Sequence, residues 1–582
     1  MTINWRKTAG SLVISASLLT CGMGVSASDI PEQGMAEEAS LSMDVASKYK
    51  LNEQLDVEVK STLNEHVLNG TRIGVVVRVS NKAAQTVRVP DTYELRVKTA
   101  EGVEYTLQPS SANSKSIQPK TTQELSYMSV IDRSDNVTLS EINWTDVDVY
   151  AYPKAETLML AIPVGERQWR GGDTLITDKS MLKKWGNTFN ILPYISPLEY
   201  KPVSINKEIT SQGLSYVVQL LVSNPTGGRE TVPDFNVDGK TSTKIFSGKR
   251  GEPGSIVLEA KEQKYIHYVI NTDLDSVLSS LNVLTTETFA QGTGGGPINY
   301  SVGRVNIALP GSADLNGSAA LPYTLGTPMK FDQISDVIHP EMAVSMIEFR
   351  MNDNEGEGSK NITAKFKLTN QSDRPMAVPA FQTDLQSADG FLYSGNRQNV
   401  TTQNILPNSS LVVGYSFTLP ASETGKGLSI KIQDAATVSP YKSTIAAYSV
   451  ALQDGLDDKQ FSLYPFDVKI DYYTITPYYN RLGNSMTYSY KLRLDMNMKR
   501  DPLVQIDSGF SKLQFDAFDT LGRLVGTTQA SFLGTGKLTT GENNIYLNGT
   551  TEQMEMQLTI KMYEVFTTPA GDSKRLLGEF KR

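Results

Sequence analysis

A strict alternation of apolar and polar side chains recurs through this chain, and it confines the fold to β-sheet. It is cleanest from Asn361 to Asn370, where Ile362, Ala364, Phe366 and Leu368 alternate with Thr363, Lys365, Lys367 and Thr369. A period of two is that of a strand with one face in a core. The pattern predicts Phe366 inside and its neighbour Lys365 in solvent. A polar turn (Gln371, Ser372, Asp373, Arg374) follows, then Val378-Pro379, Asp389-Gly390 and Ile405-Leu406-Pro407, before Tyr415 in an apolar run. Punctuation at this density belongs to short antiparallel strands joined by turns.

The landmarks recur. Asn81, Asn224 and Asn370 each stand nine residues before a proline, Pro90, Pro233 and Pro379. Gly102 precedes Tyr105, Pro119 and Tyr127 at the offsets at which Gly390 precedes Tyr393, Pro407 and Tyr415, and Tyr268 lies eight after Ala260 as those last tyrosines follow their prolines. The asparagines are 143 and 146 residues apart, so the unit is domain-sized rather than a solenoid repeat. Before Asn224, Tyr216, Val218, Leu220 and Val222 alternate. Tyr488, Tyr490, Leu492 and Leu494 do the same in a diverged fourth copy, with Met496 in the asparagine's place. Leu192-Pro193-Tyr194 and Leu321-Pro322-Tyr323 open two copies with one phrase, and Leu463-Tyr464-Pro465 scrambles it. The 582 residues divide accordingly into a leader (1–27), an acidic lead (28–50), a domain (51–165), a connector (166–190) and three further domains (191–312, 313–453 and 454–582). Four domains of about 150 residues agree with the length.

Arg6 and Lys7 precede an uncharged run from Thr8 to Thr20, and small residues end at Val25-Ser26-Ala27. This is the layout of a secretory signal peptide, too short to span a bilayer, with cleavage expected between Ala27 and Ser28. Its loss takes the formal charge from −8 to −10, which argues against a nucleic-acid partner. The single cysteine, Cys21, lies in this leader, so the cleaved chain has no disulfide or thiolate chemistry. Leu18-Leu19-Thr20-Cys21 also resembles a bacterial lipobox, although Leu19 and Thr20 depart from its small residues. Lipidation of Cys21 is the alternative, and the only route to a membrane in a chain with no other long apolar run. The expected location is outside the cell, free or attached to its surface.

The phrase strand–Asn–turn–Val-Pro, the Gly-x-x-Tyr and the Pro-led final hairpin resemble the immunoglobulin-like domains of secreted Gram-positive proteins and mycobacterial secreted antigens. The match is fullest over residues 73–130 and 362–432, partial over 214–285 and weak over 485–565. The resemblance implies an all-β chain of about four antiparallel sandwich domains of about seven strands, with loops at the two ends. Most members have no assigned activity, and no catalytic residues carry over.

The residues offer little catalytic chemistry. His66, His267 and His339 are too far apart in sequence to form a metal pair or a base–nucleophile couple, and alternation in Tyr265-Ile266-His267-Tyr268 points His267 outward. Gly292-Thr293-Gly294-Gly295-Gly296-Pro297 lacks the Lys-Ser/Thr and helix of a phosphate loop and reads as a hairpin tip. Asp353-Asn354-Glu355-Gly356-Glu357-Gly358 starts like a calcium loop, but the acid required at its twelfth position is Ala364. Asp454, Asp457 and Asp458 sit in a linker. The basic, aromatic stretch holding Arg167, Trp169, Arg170, Lys183, Lys184 and Trp185 reads as a connector with two half-buried tryptophans. No catalytic, cofactor or metal site is predicted.

One surface stands out, at Asp471-Tyr472-Tyr473-Thr474-Ile475-Thr476-Pro477-Tyr478-Tyr479. In an extended chain Tyr473, Ile475, Pro477 and Tyr479 share the face suited to a core. Tyr472 and Tyr478 are then outward, roughly 20 Å apart at strand rise, where sugar rings could lie across the phenols or the rings could pack on the preceding domain. Two function classes follow. The leading one is a non-catalytic secreted or envelope scaffold, spacer or binding module whose partner is cell-wall polysaccharide or another envelope protein. The other is a polysaccharide-active enzyme or solute-binding lipoprotein, which needs one deep pocket.

Overall fold

The computed structural model describes residues 48–582 apart from 136, 165–167, 172–175, 177–178, 192–195, 211–212, 293–294, 311–319, 355–356, 454–458, 483–484, 556 and 582. The leader and residues 28–47 of the acidic lead, with Cys21, Ala27 and Ser28, lie outside the described residues, as do Arg167, Leu192, Pro193, Tyr194 and the linker aspartates. Apart from one 3₁₀ turn, Lys179–Met181, the regular elements among the described residues are β-strands.

One succession of strands is drawn four times. A long antiparallel hairpin comes first: Leu55–Val67 with Gly70–Asn81, Glu199–Thr210 with Gly213–Ser223, Met342–Asn354 with Ser359–Asn370, and Phe466–Leu482 with Ser485–Arg500. Its second strand pairs with a later one, Thr122–Ile131, Gln263–Thr272, Ser410–Pro420 or Gly541–Tyr546, and completes what is called here the hairpin sheet. A closing sheet ends in a second hairpin: Leu139–Asp148 with Ala155–Pro163, Ser280–Phe289 with Ile298–Ala308, Ser429–Asp434 with Ser443–Ser449, and Thr559–Thr568 with Gly571–Lys581. Inward side chains of both sheets meet in one hydrophobic core per repeat. In the third, Phe366 is fully buried with the rings of Phe381 and Tyr415 at 5.4 and 5.5 Å.

The asparagine landmarks tie turn to sheet. The side-chain amide of Asn370 donates to the carbonyls of Arg374 and Ile405 at 2.7 and 2.9 Å, and its oxygen accepts from the Ser372 backbone at 2.9 Å. Asn81 and Asn224 repeat the arrangement with Gln85 and Ile117 and with Gly228 and Leu258. All three are buried, so each amide replaces water for backbone groups that a turn would otherwise leave unpaired. The turn after the blurred landmark persists as a conformation: Lys261 has φ 65°, matching Lys120 (57°) and Asn408 (55°). The second copy thus keeps the left-handed residue although it lost the proline.

A register shift falls at one place in all four long hairpins, between Val59 and Ser61, Pro202 and Ser204, Met346 and Glu348, and Ile470 and Tyr472. One unpaired residue re-aims the strand beyond it. Measured from this bulge, Met496 is level with Phe366 and not with Asn370. The fourth repeat's alternation therefore continues into the core through Met496, which is buried.

The outward faces of the first three hairpin sheets are covered by the closing hairpins of the repeats that follow them. Between the first two repeats, Leu63 and Met128 pack with Phe289, Tyr300 and Val302 around the half-buried Trp169. Between the second and third, Tyr265 bonds Asp332, and Glu208 accepts the backbone N–H of Lys442 at 2.7 Å. Between the third and fourth lies a buried ionic cluster in which Lys365 meets Glu564 at 2.7 Å and Glu348 at 3.2 Å, while Arg575 meets both acids at 2.5 Å. Val504–Gln505 also adds in parallel to Ser410 and Leu411 of the third repeat. Lys365 does alternate outward as expected, but outward is not solvent: it is 4% exposed.

Burial pushes the Glu564 carboxyl up, yet Lys365 and Arg575 outweigh it and hold its pKa at about 2. A folded-state pKa below the ordinary 4.5 means this acid stabilises the fold above that pH and ceases to do so as pH falls toward about 2. Glu287, facing Lys60 across the first joint, is shifted upward by burial. That shift has the opposite sign, so mild acid relieves the first joint.

Phe366→Ala should cost about 3–5 kcal/mol through a cavity. Lys365→Ala, which leaves two buried carboxylates with one cation, should cost about as much, about 3–5 kcal/mol, in urea unfolding. A near-neutral Lys365→Ala would mean that the joint is open in solution. The hydrogen-exchange protection factors of the Thr559–Thr568 strand, taken relative to the intrinsic rate at each pH, should fall between about pH 4.5 and about pH 2 and lose that dependence in Glu564→Gln.

Candidate functional site

Among the described residues no later repeat covers the hairpin sheet of the fourth. Register from the shared bulge places Tyr472, Asp495 and Glu542 side by side, then Thr474, Arg493 and Asn544, then Thr476, Lys491 and Tyr546. The first row is level with Glu348, Lys365 and Gly414 of the third repeat and with Ser204, Gln219 and His267 of the second. In that row Glu348, Lys365 and His267 are 7%, 4% and 2% exposed, whereas Tyr472 is 57% exposed; Tyr546, two rows along, is 56% exposed. Tyr472 thus bares a position at which the first and third repeats bury Ser61 and Glu348.

Tyr472 and Tyr478 share this outward face, as the alternation predicts, with Ile475 buried on the other side and Tyr473 against Phe580 at 4.9 Å. Tyr478 stands edge-on to Tyr546, 6.1 Å between centroids at 78°. Lys491 lies 6.0 Å over that same ring, and Arg493 pairs with Glu542 at 2.9 Å. The ring partner of Tyr478 is thus in its own sheet, not in the third repeat. Tyr546 was not legible as part of this surface, because it reaches Tyr478 only through strand pairing across the hairpin. Tyr479, assigned to the core face by alternation, is 66% exposed because the long hairpin runs on past its core. The surface combines phenol faces with paired charges, suited to a flat partner offering apolar area and hydrogen-bonding groups.

A second feature lies between the second and third repeats, a cavity of about 690 Å³ lined among others by Lys264, Tyr265, His267, His339 and Arg374. His267 is on the outward face of its sheet, yet the third repeat covers it, so the solvent position expected for it is corrected. Its Nδ1 lies 2.6 Å from Glu252 and its Nε2 has no hydrogen-bond partner. His66 and His339 are exposed. Among the described residues no group of three or more His, Cys, Asp or Glu is placed to hold a metal.

Asp353 and Glu357 line a space of about 620 Å³ with Asp516 and Lys574 between the third and fourth repeats, while Ala364 is buried in its strand. Glu355 and Gly356 lie outside the described residues. The glycine stretch at 292–297 joins two antiparallel strands as a hairpin tip, with Thr293 and Gly294 undescribed. Trp169 sits in the first joint and Trp185 packs against the second core, both half-buried as the connector reading predicts.

No protein-family model and no curated protein matches the chain. A solved structure of a protein of unknown function from Porphyromonas gingivalis W83 is similar at 14% identity, covering 44% of this chain and 100% of its own, with a TM-score of 0.13. No helix among the described residues is long and apolar enough to cross a membrane.

Proposed function

We propose that this chain is a non-catalytic exported protein of the cell envelope, a scaffold of four immunoglobulin-like β-sandwich repeats that presents a binding surface on its fourth repeat. One observation carries the reading: the outward position that Ser61 and Glu348 hold buried in the first and third repeats is open at Tyr472, with Tyr546 exposed and Tyr478 half-buried on the same face. Phenol rings on an exposed sheet face make a serviceable contact, which a face of solvated charges would not. The recurring strand order, with a long hairpin opposed to a closing hairpin, supports the sandwich assignment.

Export rests on the leader, through Arg6, Lys7, the uncharged run and the cleavage step between Ala27 and Ser28. The alternative in which Cys21 is lipidated would hold the same scaffold at a membrane surface. A solute-binding lipoprotein would use the cavity beside His267, the one observation that favours that second reading.

Isolated cell envelope, which offers both wall polysaccharide and envelope proteins, should co-sediment with the intact chain and severalfold less with the Tyr472→Ala, Tyr478→Ala variant. Equal pelleting of the two would move the binding function off this sheet. Intact mass of the exported chain should place the N-terminus at Ser28; a diacylglycerol mass on Cys21 would replace release by anchoring.

A further inference from the structure

The uncovered sheet has a counterpart at the other end of the chain. In the second, third and fourth repeats the closing hairpin reaches onto the preceding repeat at or near its tip. Ser111 donates to the carbonyls of Ala290 and Gln291 at 3.2 and 2.8 Å, Lys442 donates to Glu208 at 2.7 Å, and Asn399 donates to the Thr567 carbonyl at 2.9 Å. Among the described residues nothing precedes the first repeat, and its closing hairpin carries Val149, Tyr150, Tyr152 and Leu158 at 64%, 96%, 102% and 59% exposure. Scattered surface apolar residues are ordinary, but four on one hairpin are a patch.

We infer that the chain associates with further copies of itself, the closing hairpin of the first repeat of one molecule seating on the hairpin sheet of the fourth repeat of the next. The inference rests on the reading of that sheet as the binding surface and names its occupant. Its warrant is continuity: the same two faces meet at each joint inside the chain, and among the described residues one hairpin (first repeat) and one sheet (fourth repeat) remain exposed. Such contacts join unlike faces. Each added copy therefore consumes one free hairpin and one free sheet and leaves one of each, so the assembly lengthens unless its rotation closes a ring. Tyr472 and Tyr546 would meet Tyr150 and Tyr152, residues that give large contact area at low entropic cost.

Sedimentation velocity of the purified full-length chain, with no envelope material present, tests this. The intact chain should form species heavier than the monomer that grow with concentration. Tyr472→Asp with Tyr546→Asp should weaken association roughly tenfold or more, and so should Tyr150→Asp with Tyr152→Asp, because charge is being placed in a docked face. These side chains are all more than half exposed, and an unchanged circular dichroism melt confirms that each variant folds. An equimolar mixture of the two variants should restore a dimer and nothing longer, since one retains only the hairpin and the other only the sheet. An intact chain that stays monomeric at about 100 μM, where a contact of micromolar Kd would be filled, overturns the inference. So does a mixture that fails to restore the dimer, which would make the contact symmetric. If the protein is monomeric while its envelope sedimentation depends on Tyr472 and Tyr478, the surface stands and its occupant is an envelope component. If it is monomeric and that dependence is also absent, both readings fall.

Discussion

A β-sheet has two faces, and a chain that buries one must decide what happens to the other. Here the inward face of each hairpin sheet closes a core of Val, Ile, Leu and aromatic residues, and the bulge in the first strand fixes which residues point away. At three of the four sheets the outward face is also taken out of water, by the closing hairpin that follows. The repeats are therefore joined through surface that alternation alone assigns to solvent. Everything distinctive about the molecule, from the buried histidine to the ionic cluster and the bared tyrosines, is an outcome of whether a given outward face has a neighbour.

The three joints solve that problem with different chemistry. The first is largely apolar, with Leu63, Met128, Phe289, Tyr300 and Val302, and brings Lys60 to Glu287 at its side. The second leaves a cavity in which the Nε2 of His267 is unpaired. The third buries two acids and two bases whose attraction must offset their desolvation. An ionic joint of this kind adds little net stability but penalises any other arrangement heavily, because a slip of one strand position would strand a charge. Stickiness is concentrated at one end of the array and orientation at the other.

What the sequence disclosed follows the same division. Inward residues are set by their own strand, so Phe366 could be placed from nine neighbours, and the asparagine spacing identified the copies even though the reason for it, an amide clamped to turn carbonyls, is visible only in three dimensions. Outward burial is decided by residues far along the chain: Lys365 meets Glu564, 199 positions away, and no local pattern announces it. His267 was misplaced for the same cause. Tyr472 was legible because nothing covers it, and Tyr546 was not because strand pairing, rather than sequence proximity, brings it to the same surface. The fourth copy's asparagine was sought at Met496, four residues early, since only the bulge reveals the register.

The two-residue strand Val504–Gln505, lent by the fourth repeat to the sheet of the third, ties neighbouring cores through the main chain as well as through side chains. The Leu503 carbonyl accepts the Ser410 N–H at 2.8 Å, and the Gln505 side chain accepts the N–H of Leu406 at 2.9 Å. Tension applied along the chain must therefore break main-chain pairing between the third and fourth repeats before the fourth can swing free. A link of that sort makes the third and fourth repeats respond to a pull as one stiff segment.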